Sequence, residues 1–374
     1  MRLETLSLYQ FRNYREAEIG FSEGIHILFG ENGAGKTSIL EAIYYLALTR
    51  SFRTAVDRHL IHNQGDLFRI QGTFSSPQGQ RLQTAIAYSA ETGKRLTVNG
   101  QRAHRFSEYI GDVPAVLLHP ADLSLSQGGP QQRRRFLDVL LSQSSRLYLH
   151  HLIQYNRSLR QRNQMLQQER VDPQVMSAWE ESLVTHGAEL VRRRSEAVGR
   201  LEELVAHYYR QLSNRDTAVT ARYRSNVRPD GEETLEAAYR RLLDQRRRRE
   251  RDYGSTIVGP HRDDLDFSLA GRAMKDYASQ GEHKTLVIAL KLAEYHFLQE
   301  RHNQAPILLF DDIFGELDAG RIQLMLAQLS DIGQVFVTTT SRNFFDKVHT
   351  VAAPTRYFQV AAGTIRPVAA ANGA

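Results

Sequence analysis

The chain has 374 residues, enough for two or three domains with a core, and its longest apolar runs fall far short of the roughly 20 residues that cross a bilayer. It contains no cysteine, which excludes disulfides and cysteine-ligated zinc and fits a cytoplasmic protein. The net charge of +6 is unevenly placed: residues 131–250 carry 23 arginines against 16 carboxylates, a net of +7 that leaves −1 for the rest. A basic middle on a near-neutral remainder points to a polyanionic partner, most simply nucleic acid, with a solvated arginine-rich arm as the competing reading.

Residues 2–10 and 16–22 alternate apolar with polar and read as two strands, joined by Gln10-Phe11-Arg12-Asn13-Tyr14; the N-terminus therefore does not read as a signal peptide. A third strand, 25–29, runs into Gly30-Glu31-Asn32-Gly33-Ala34-Gly35-Lys36-Thr37, and a helical pattern from Ser38 to Leu46 runs out of it. G-x-x-x-x-G-K-[ST] between strand and helix is the phosphate loop of nucleotidases. Its glycines let successive N–H groups face one anion, and the helix N-terminus adds its positive end. Lys36 is expected to reach the β- and γ-phosphates of ATP, and Thr37 to hold Mg²⁺. A dinucleotide loop is disfavoured because the G-x-G-x-x-G spacing is absent.

Residues 66–74, 81–89 and 94–99 alternate again, with turns at Pro77-Gln78-Gly79 and Thr92-Gly93, and predict an antiparallel β-layer. Residues 113–118 read as a short buried strand leading to His119-Pro120-Ala121-Asp122-Leu123 and Gln127-Gly128-Gly129-Pro130. Helical periodicity then takes over. Tyr148, Leu152, Tyr155, Leu159 and Leu166 mark one helix, which Asp172-Pro173 breaks. Met176, Trp179, Leu183, Leu190, Val198, Leu201, Val205, Tyr208 and Leu212 mark a second, about 57 Å long if continuous. Two antiparallel helices forming an arm are the economical reading. Trp179 and the arm's tyrosines read as helix packing rather than base platforms. Arg133, Arg134 and Arg135 stand at one end of the arm, Arg246 to Arg249 near the other, and the first three are the candidate DNA contacts.

Ile307-Leu308-Leu309-Phe310-Asp311-Asp312 is an apolar run ending in two carboxylates. It suits a buried parallel strand that delivers Asp311 to the Mg²⁺ shell and Asp312 to the attacking water. Residues 335–339 form a further buried strand, and 369–374 a frayed end. Before the acidic strand, Ser279-Gln280-Gly281-Glu282 opens a helical run as a capping box, Ser279 with Glu282 three later. The same S-x-G before a helix matches the signature motif of ABC-type ATPases, and Gly315-Glu316-Leu317-Asp318 stands where they carry a D-loop. Phosphate loop, signature and acidic strand in this order define an ABC-type ATPase head, in which Ser279 and Gly281 would contact the γ-phosphate held by a second protomer. The expected organisation is an α/β head with an antiparallel β-layer and an inserted helical arm: residues 1–130 and 251–374 form the head, 131–250 the arm.

Further segments carry a resemblance over nearly the full length. Phe11-Arg12-Asn13-Tyr14, the phosphate loop, Pro120-Ala121-Asp122-Leu123, Gly129-Pro130 with Arg133-Arg134-Arg135-Phe136-Leu137-Asp138, and Gly259-Pro260-His261-Arg262-Asp263-Asp264 together resemble the RecF family of bacterial recombination-repair ATPases, of the SMC-like group. The resemblance implies a homodimer closed by ATP, slow hydrolysis, binding to double-stranded, gapped or single-stranded DNA, and work with RecO and RecR to load RecA at gaps and induce the SOS response. The chain departs from ABC patterns in four places. Glu282-His283 replaces Gly-Gln of the signature, Asp312 replaces the usual Glu, Thr338-Thr339-Thr340 stands where a switch His is usual, and no Gln lies in 117–122, which leaves Gln127 as a candidate. Arg12 reads as a nucleotide contact or a solvent-facing residue. His261, Asp263, Asp264 and Asp266 read as a structural or nucleotide-proximal turn, or as a metal site. A transporter ATPase subunit would share the three motifs but expects a membrane partner and no basic helical insert; an SMC-like tether would need a far longer coiled coil.

Overall fold

The computed structural model describes residues 1–213, 217–313, 324–325, 333–340 and 354–368. The chain forms two compact units. One comprises Met1–Asp122, Gln211–Asn214 and Ile288–Ala374, and the other Leu123–Arg210 and Arg215–Val287.

The first unit holds two six-stranded sheets. β1 (Arg2–Phe11) and β2 (Tyr14–Gly20) form the predicted hairpin, and β4 (Leu67–Ser75), β5 (Arg81–Ser89), β6 (Gly93–Val98) and β7 (Gln101–Arg102) extend it in the order β2-β1-β4-β5-β6-β7, all antiparallel. The alternation in the sequence is the burial pattern of β1: Leu3, Leu6, Leu8 and Phe11 are at most 1% exposed. The second sheet runs β15-β14-β3-β13-β12-β8, from β3 (Ile25–Phe29), β8 (Ala115–Leu118), β12 (Ile307–Phe310), β13 (Val335–Thr339), β14 (Thr355–Ala361) and β15 (Thr364–Val368). All its pairings are parallel except the β14–β15 edge. All of β12 and β13 is buried, which is why both read as unbroken apolar runs. Every residue of α1 (Lys36–Leu48) except Thr37 is buried, as expected of a helix enclosed on all sides. Because β3, β13, β12 and β8 run in one direction, Gly30, Thr338, Asp311 and His119 gather at their C-terminal ends, the edge where open α/β sheets bind ligands.

The second unit is mainly helical: α2 (Ser124–Gln127), α3 (Pro130–Ser144), α4 (Arg146–Leu166), α5 (Pro173–Ser213), α6 (Leu235–Tyr253), α7 (Met274–Tyr277) and the start of α8 (Gln280–His302). The predicted break at Asp172-Pro173 is the start of α5, with the Asp172 side chain accepting from the Gln174 N–H. α5 has 41 residues, about 60 Å of helix. The unit is more than a pair of helices. β9 (Val219–Arg224) pairs antiparallel with β10 (Asp264–Leu269), and β11 (Arg272–Ala273) completes a three-stranded sheet. This pairing draws residues beyond 250 into the helical unit, so it runs from 123 to 287 and includes Ser279, where the sequence placed its limits at 131 and 250.

Candidate nucleotide-binding site

The phosphate loop follows β3 and ends at α1, as its spacing requires. At Gly35 φ is +115°, and a Cβ there would stand 2.4 Å from Asn13 Nδ2 and 2.9 Å from the Tyr14 hydroxyl. Only glycine fits. The loop is held from below by the hairpin: Asn13 Nδ2 donates to the Ala34 carbonyl at 2.9 Å and the Tyr14 hydroxyl to the Gly35 carbonyl at 3.1 Å. Asn13 and Tyr14 thus serve the candidate nucleotide site by shaping its loop.

Lys36 is 6% exposed, and its ammonium donates to the carbonyls of Gly30 at 2.7 Å and Glu31 at 2.8 Å. Burial lowers its pKa, and the carboxylates of Asp312 and Asp311 oppose that. The Thr37 hydroxyl donates to Asp311 Oδ1 at 2.8 Å. The Thr338 hydroxyl donates to the same oxygen at 2.9 Å and accepts from the Asp312 N–H at 2.9 Å. Burial raises the Asp311 pKa, against these hydrogen bonds and nearby His119. Asp312 has φ +50°, a left-handed conformation that carries its side chain off the strand line. A cavity of about 590 Å³ is lined by Asn32, Gly33, Lys36, Thr37, Asp312 and Thr338 among others.

These residues fit ATP and a magnesium ion. The N–H groups of Gly33, Gly35, Lys36 and Thr37 have no backbone acceptor among the described residues, as the mouth of an anion site requires. The oxygens of Thr37 and Asp311 stand 2.8 Å apart, close to the about 2.9 Å between neighbouring ligands of an octahedral ion with 2.0–2.1 Å bonds.

Other expected site residues have different surroundings. Arg12 lines the cavity, but its guanidinium grips Glu41 at 2.8 and 2.7 Å and donates to the His59 carbonyl at 2.9 Å. Glu41 is fully buried and also takes the Ser51 hydroxyl, a pairing on α1 that sequence reasoning missed. Gln127 donates to Gln280 Oε1 at 3.1 Å. His119, on the strand end beside Asp311, belongs to no motif; the signal for it was its place one residue past a buried strand. Gly315-Glu316-Leu317-Asp318 lies outside the described residues.

In the helical unit, Ser279 is exposed and forms the predicted capping box: its N–H and hydroxyl donate to Glu282 Oε2 at 2.8 Å each, and its hydroxyl accepts from the Glu282 N–H at 3.3 Å. The carbonyl of Gly281 accepts from the Thr285 hydroxyl at 2.8 Å. His283 meets the Ser126 hydroxyl at 2.5 Å, so the residue that departs from the signature pattern braces the segment against α2.

The arginine triplet needs correction as a set. Arg133 is 6% exposed and makes a two-point pair with Asp264, at 2.8 and 2.9 Å. Arg134 donates to the Asp263 carbonyl at 2.6 Å. Both hold α3 to β10 and are not open phosphate contacts; Arg135 alone of the three is exposed. The same contacts tie down the Gly259–Asp264 segment. The Tyr155 hydroxyl meets His261 Nδ1 at 2.6 Å and Nε2 meets the Thr256 carbonyl at 3.0 Å, while Asp263 accepts from Tyr223 and from the Asn226 N–H. Burial pushes the His261 pKa down to about 4.

Phosphate loop and acidic strand at the end of the parallel sheet define a P-loop ATPase head fold. The RecF/RecN/SMC N terminal domain model matches residues 2–363. The chain belongs to the RecF family: it is 41% identical to the DNA replication and repair protein RecF of Symbiobacterium thermophilum, over 98% of each chain, and 38% identical to that of Chlorobium limicola, over 95% of this chain and 99% of that one. Structures of the recombination mediator protein RecF in the RecFOR pathway, RecF-ATPrS and RecF-ATP, superpose with TM-scores of 0.90 and 0.89 at 28% identity, over 98% of each chain. An Smc head bound to the C-terminal winged-helix domain of ScpA shares the fold, with TM-score 0.54 at 16% identity. No helix among the described residues is long and apolar enough to cross a membrane.

Proposed function

We propose that this protein is an ATP-dependent DNA-binding protein of recombinational repair and replication, in which Mg²⁺–ATP joins two copies on DNA and slow hydrolysis separates them. The observation that carries this reading is the hydrogen-bonded chain Thr37–Asp311–Thr338–Asp312 beside Lys36. On this reading Thr37 and Asp311 are the ion-holding pair and Asp312 the water-orienting carboxylate, and the hydrogen bonds that gather them at the end of one sheet support it. The loop N–H groups and Lys36 would hold ATP, and Thr37 and Asp311 would hold the ion, which would supply charge neutralisation. Asp312 accepts a proton from, or orients, the attacking water. An Asp here is one methylene shorter than Glu, in keeping with slow turnover.

Ser279 and Gly281 would complete the site from a second copy. Ser279 is exposed at the start of a 23-residue helix, where its hydroxyl and the helix N-terminus suit a γ-phosphate. In the cytoplasm the dimer would act at gapped DNA with RecO and RecR, supporting RecA loading and SOS induction, in keeping with the RecFOR pathway to which the two superposed RecF structures belong. The test is sedimentation with Mg²⁺–ATP, Mg²⁺–ADP or no nucleotide, with and without gapped duplex. ATP alone should shift monomer to dimer, and DNA should deepen the shift. A monomer under all conditions would refute the reading.

A further inference from the structure

Several arginines of the helical unit are neutralised on the spot. Arg240 pairs with Glu181, Arg241 with Glu233 and Asp230, Arg247 with Glu180 and Asp244, and Arg192 with Glu189 and Glu236. Arg246 and Arg249 differ: both are exposed, and neither makes an ion pair among the described residues. With Tyr253 they recur at i, i+3 and i+7 along α6, so the three share one face. That face lines a cavity of about 530 Å³, whose other walls include Asn226, Ser255 and Arg262. This is the size of a small-ligand site. No carboxylate lines it. Tyr253 is 62% exposed, and the Arg249 guanidinium lies 5.4 Å from its ring centroid.

Four hydrogen bonds hold the chain around this cavity. Gly254, at φ +62°, ends α6, and the N–H groups of Gly254 and Ser255 satisfy the carbonyls of Arg251 and Glu250. Asn226 is tied by its N–H to Asp263 and by its amide to the Ile257 carbonyl. A simpler account makes the arginines counter-charges to the negative end of α6. It covers Arg249, but not Arg246, about two turns before the helix end, nor Arg262, which lies off the helix. Three guanidiniums around one opening repel each other unless an anion joins them, and an exposed tyrosine beneath a guanidinium offers a second flat face to a base.

We infer that this cavity is a subsite for one unpaired nucleotide of a nucleic-acid strand, its phosphate on Arg246 and Arg262 and its base stacked on Tyr253 beside Arg249. A single strand is specified because bases inside a duplex already stack on one another and cannot use an aromatic platform. The inference rests on the DNA-binding reading above and adds to it the place where the single-stranded side of a gap is held.

The test uses the full-length protein and a fluorescein-labelled oligothymidylate of about ten nucleotides, within the usual span of single-strand sites, beside a blunt duplex of equal length. Tyr253→Ala should weaken oligothymidylate binding about five- to hundredfold and leave duplex binding near wild type, while Tyr253→Phe, which keeps the ring, should bind like wild type. Arg246→Ala/Arg249→Ala should reduce the logarithmic salt slope for the single strand by about 0.7 for each phosphate that the variant no longer neutralises. Thermal midpoints and ATP affinity should stay at wild-type values, and an oligonucleotide carrying 5-iodouracil should photocrosslink to Tyr253. Wild-type oligothymidylate affinity in Tyr253→Ala, or an equal loss on duplex and single strand, overturns the inference and leaves the DNA-binding reading standing. Failure of the unaltered protein to bind either probe overturns both.

Discussion

The Thr37 hydroxyl and the Asp311 carboxylate meet at 2.8 Å, although 274 residues separate them in the chain. Thr338 reaches the same carboxylate oxygen from the neighbouring strand. Asp311→Asn keeps the shape and removes the charge proposed to hold the ion. Its ATP affinity should be the same with Mg²⁺ as with EDTA, and hydrolysis should fall about 10²-fold or more. Thr338→Val should cost about 10–100-fold in Mg²⁺ affinity or turnover, the usual effect of losing a group that orients a metal ligand. Titrating Mg²⁺ against ATP hydrolysis checks both. Wild-type Mg²⁺ dependence in Asp311→Asn would remove Asp311 from the ion site.

Asp312→Asn tests the next residue. Asparagine tolerates the left-handed backbone at this position, so the fold of the strand end should survive. The variant should bind Mg²⁺–ATP normally, hydrolyse it about 10²-fold more slowly or worse, as expected on losing a general base, and remain dimeric long after wild type has dissociated. Decay of the dimer at the wild-type rate would show that Asp312 does not handle the attacking water.

Arg133→Ala should act on stability rather than on DNA contact. It leaves the Asp264 carboxylate, held below its usual pKa by Arg133, buried without its main partner. Breaking such a pair costs about 3–5 kcal/mol. The urea midpoint should therefore drop sharply, whereas Arg135→Ala, at an exposed position, should change the unfolding free energy by less than about 0.5 kcal/mol. Equal, small shifts in both variants would mean that the Arg133–Asp264 pair holds nothing together.

This contrast shows where the sequence was informative. Alternation and apolar runs marked β1, β4, β5 and β12, because burial on one or both faces leaves a direct trace in residue order. The phosphate loop was legible because its chemistry needs fixed residues at fixed spacing. Pairing across the chain leaves no such trace. Arg133 looked like Arg135 in sequence, and only the packing of α3 on β10 brings Asp264 to the first of them. Likewise Thr338 read as the absence of a switch histidine, and its role on Asp311 emerged from the β12–β13 register. The limits of the helical unit were missed for the same reason.

His26 gives a pH prediction. Its Nε2 accepts from the Ser22 N–H at 3.3 Å and its Nδ1 faces the Val335 carbonyl at 3.4 Å, so the site requires a neutral ring with its proton on Nδ1. Burial pushes its pKa down to about 4. The unfolded chain, with pKa near 6.5, therefore takes up a proton at a pH where the folded protein does not. Stability is full above about 6.5, falls as pH drops through the window from 6.5 to about 4, and at pH 5 is lower by about 2 kcal/mol for this residue. His261, with the same shift, adds a similar loss. Urea melts at pH 7 and pH 5 should show the fall, and His26→Gln should flatten it by close to one proton. An unchanged pH slope in that variant would assign the dependence elsewhere.

The proposed composite site calls for two variants that should fail for opposite reasons. Ser279→Arg keeps its own phosphate loop and should bind ATP. It should not dimerise, because a bulky cation stands where the partner's nucleotide must dock. Lys36→Ala keeps its signature but loses the one ammonium in the loop, so its ATP affinity should fall by at least about tenfold, the loss expected for a charge-assisted contact of roughly 1.5–3 kcal/mol. Mixed, the two offer one complete site, built from Lys36 of the Ser279→Arg chain and Ser279 of the Lys36→Ala chain; the opposite site carries both lesions. With Mg²⁺–ATP the mixture should form dimer, or hydrolyse ATP, where neither variant does so alone. If Ser279→Arg by itself dimerises and turns over ATP at the wild-type rate, the serine is a helix cap for Glu282 and nothing more, and the nucleotide must be held by one chain.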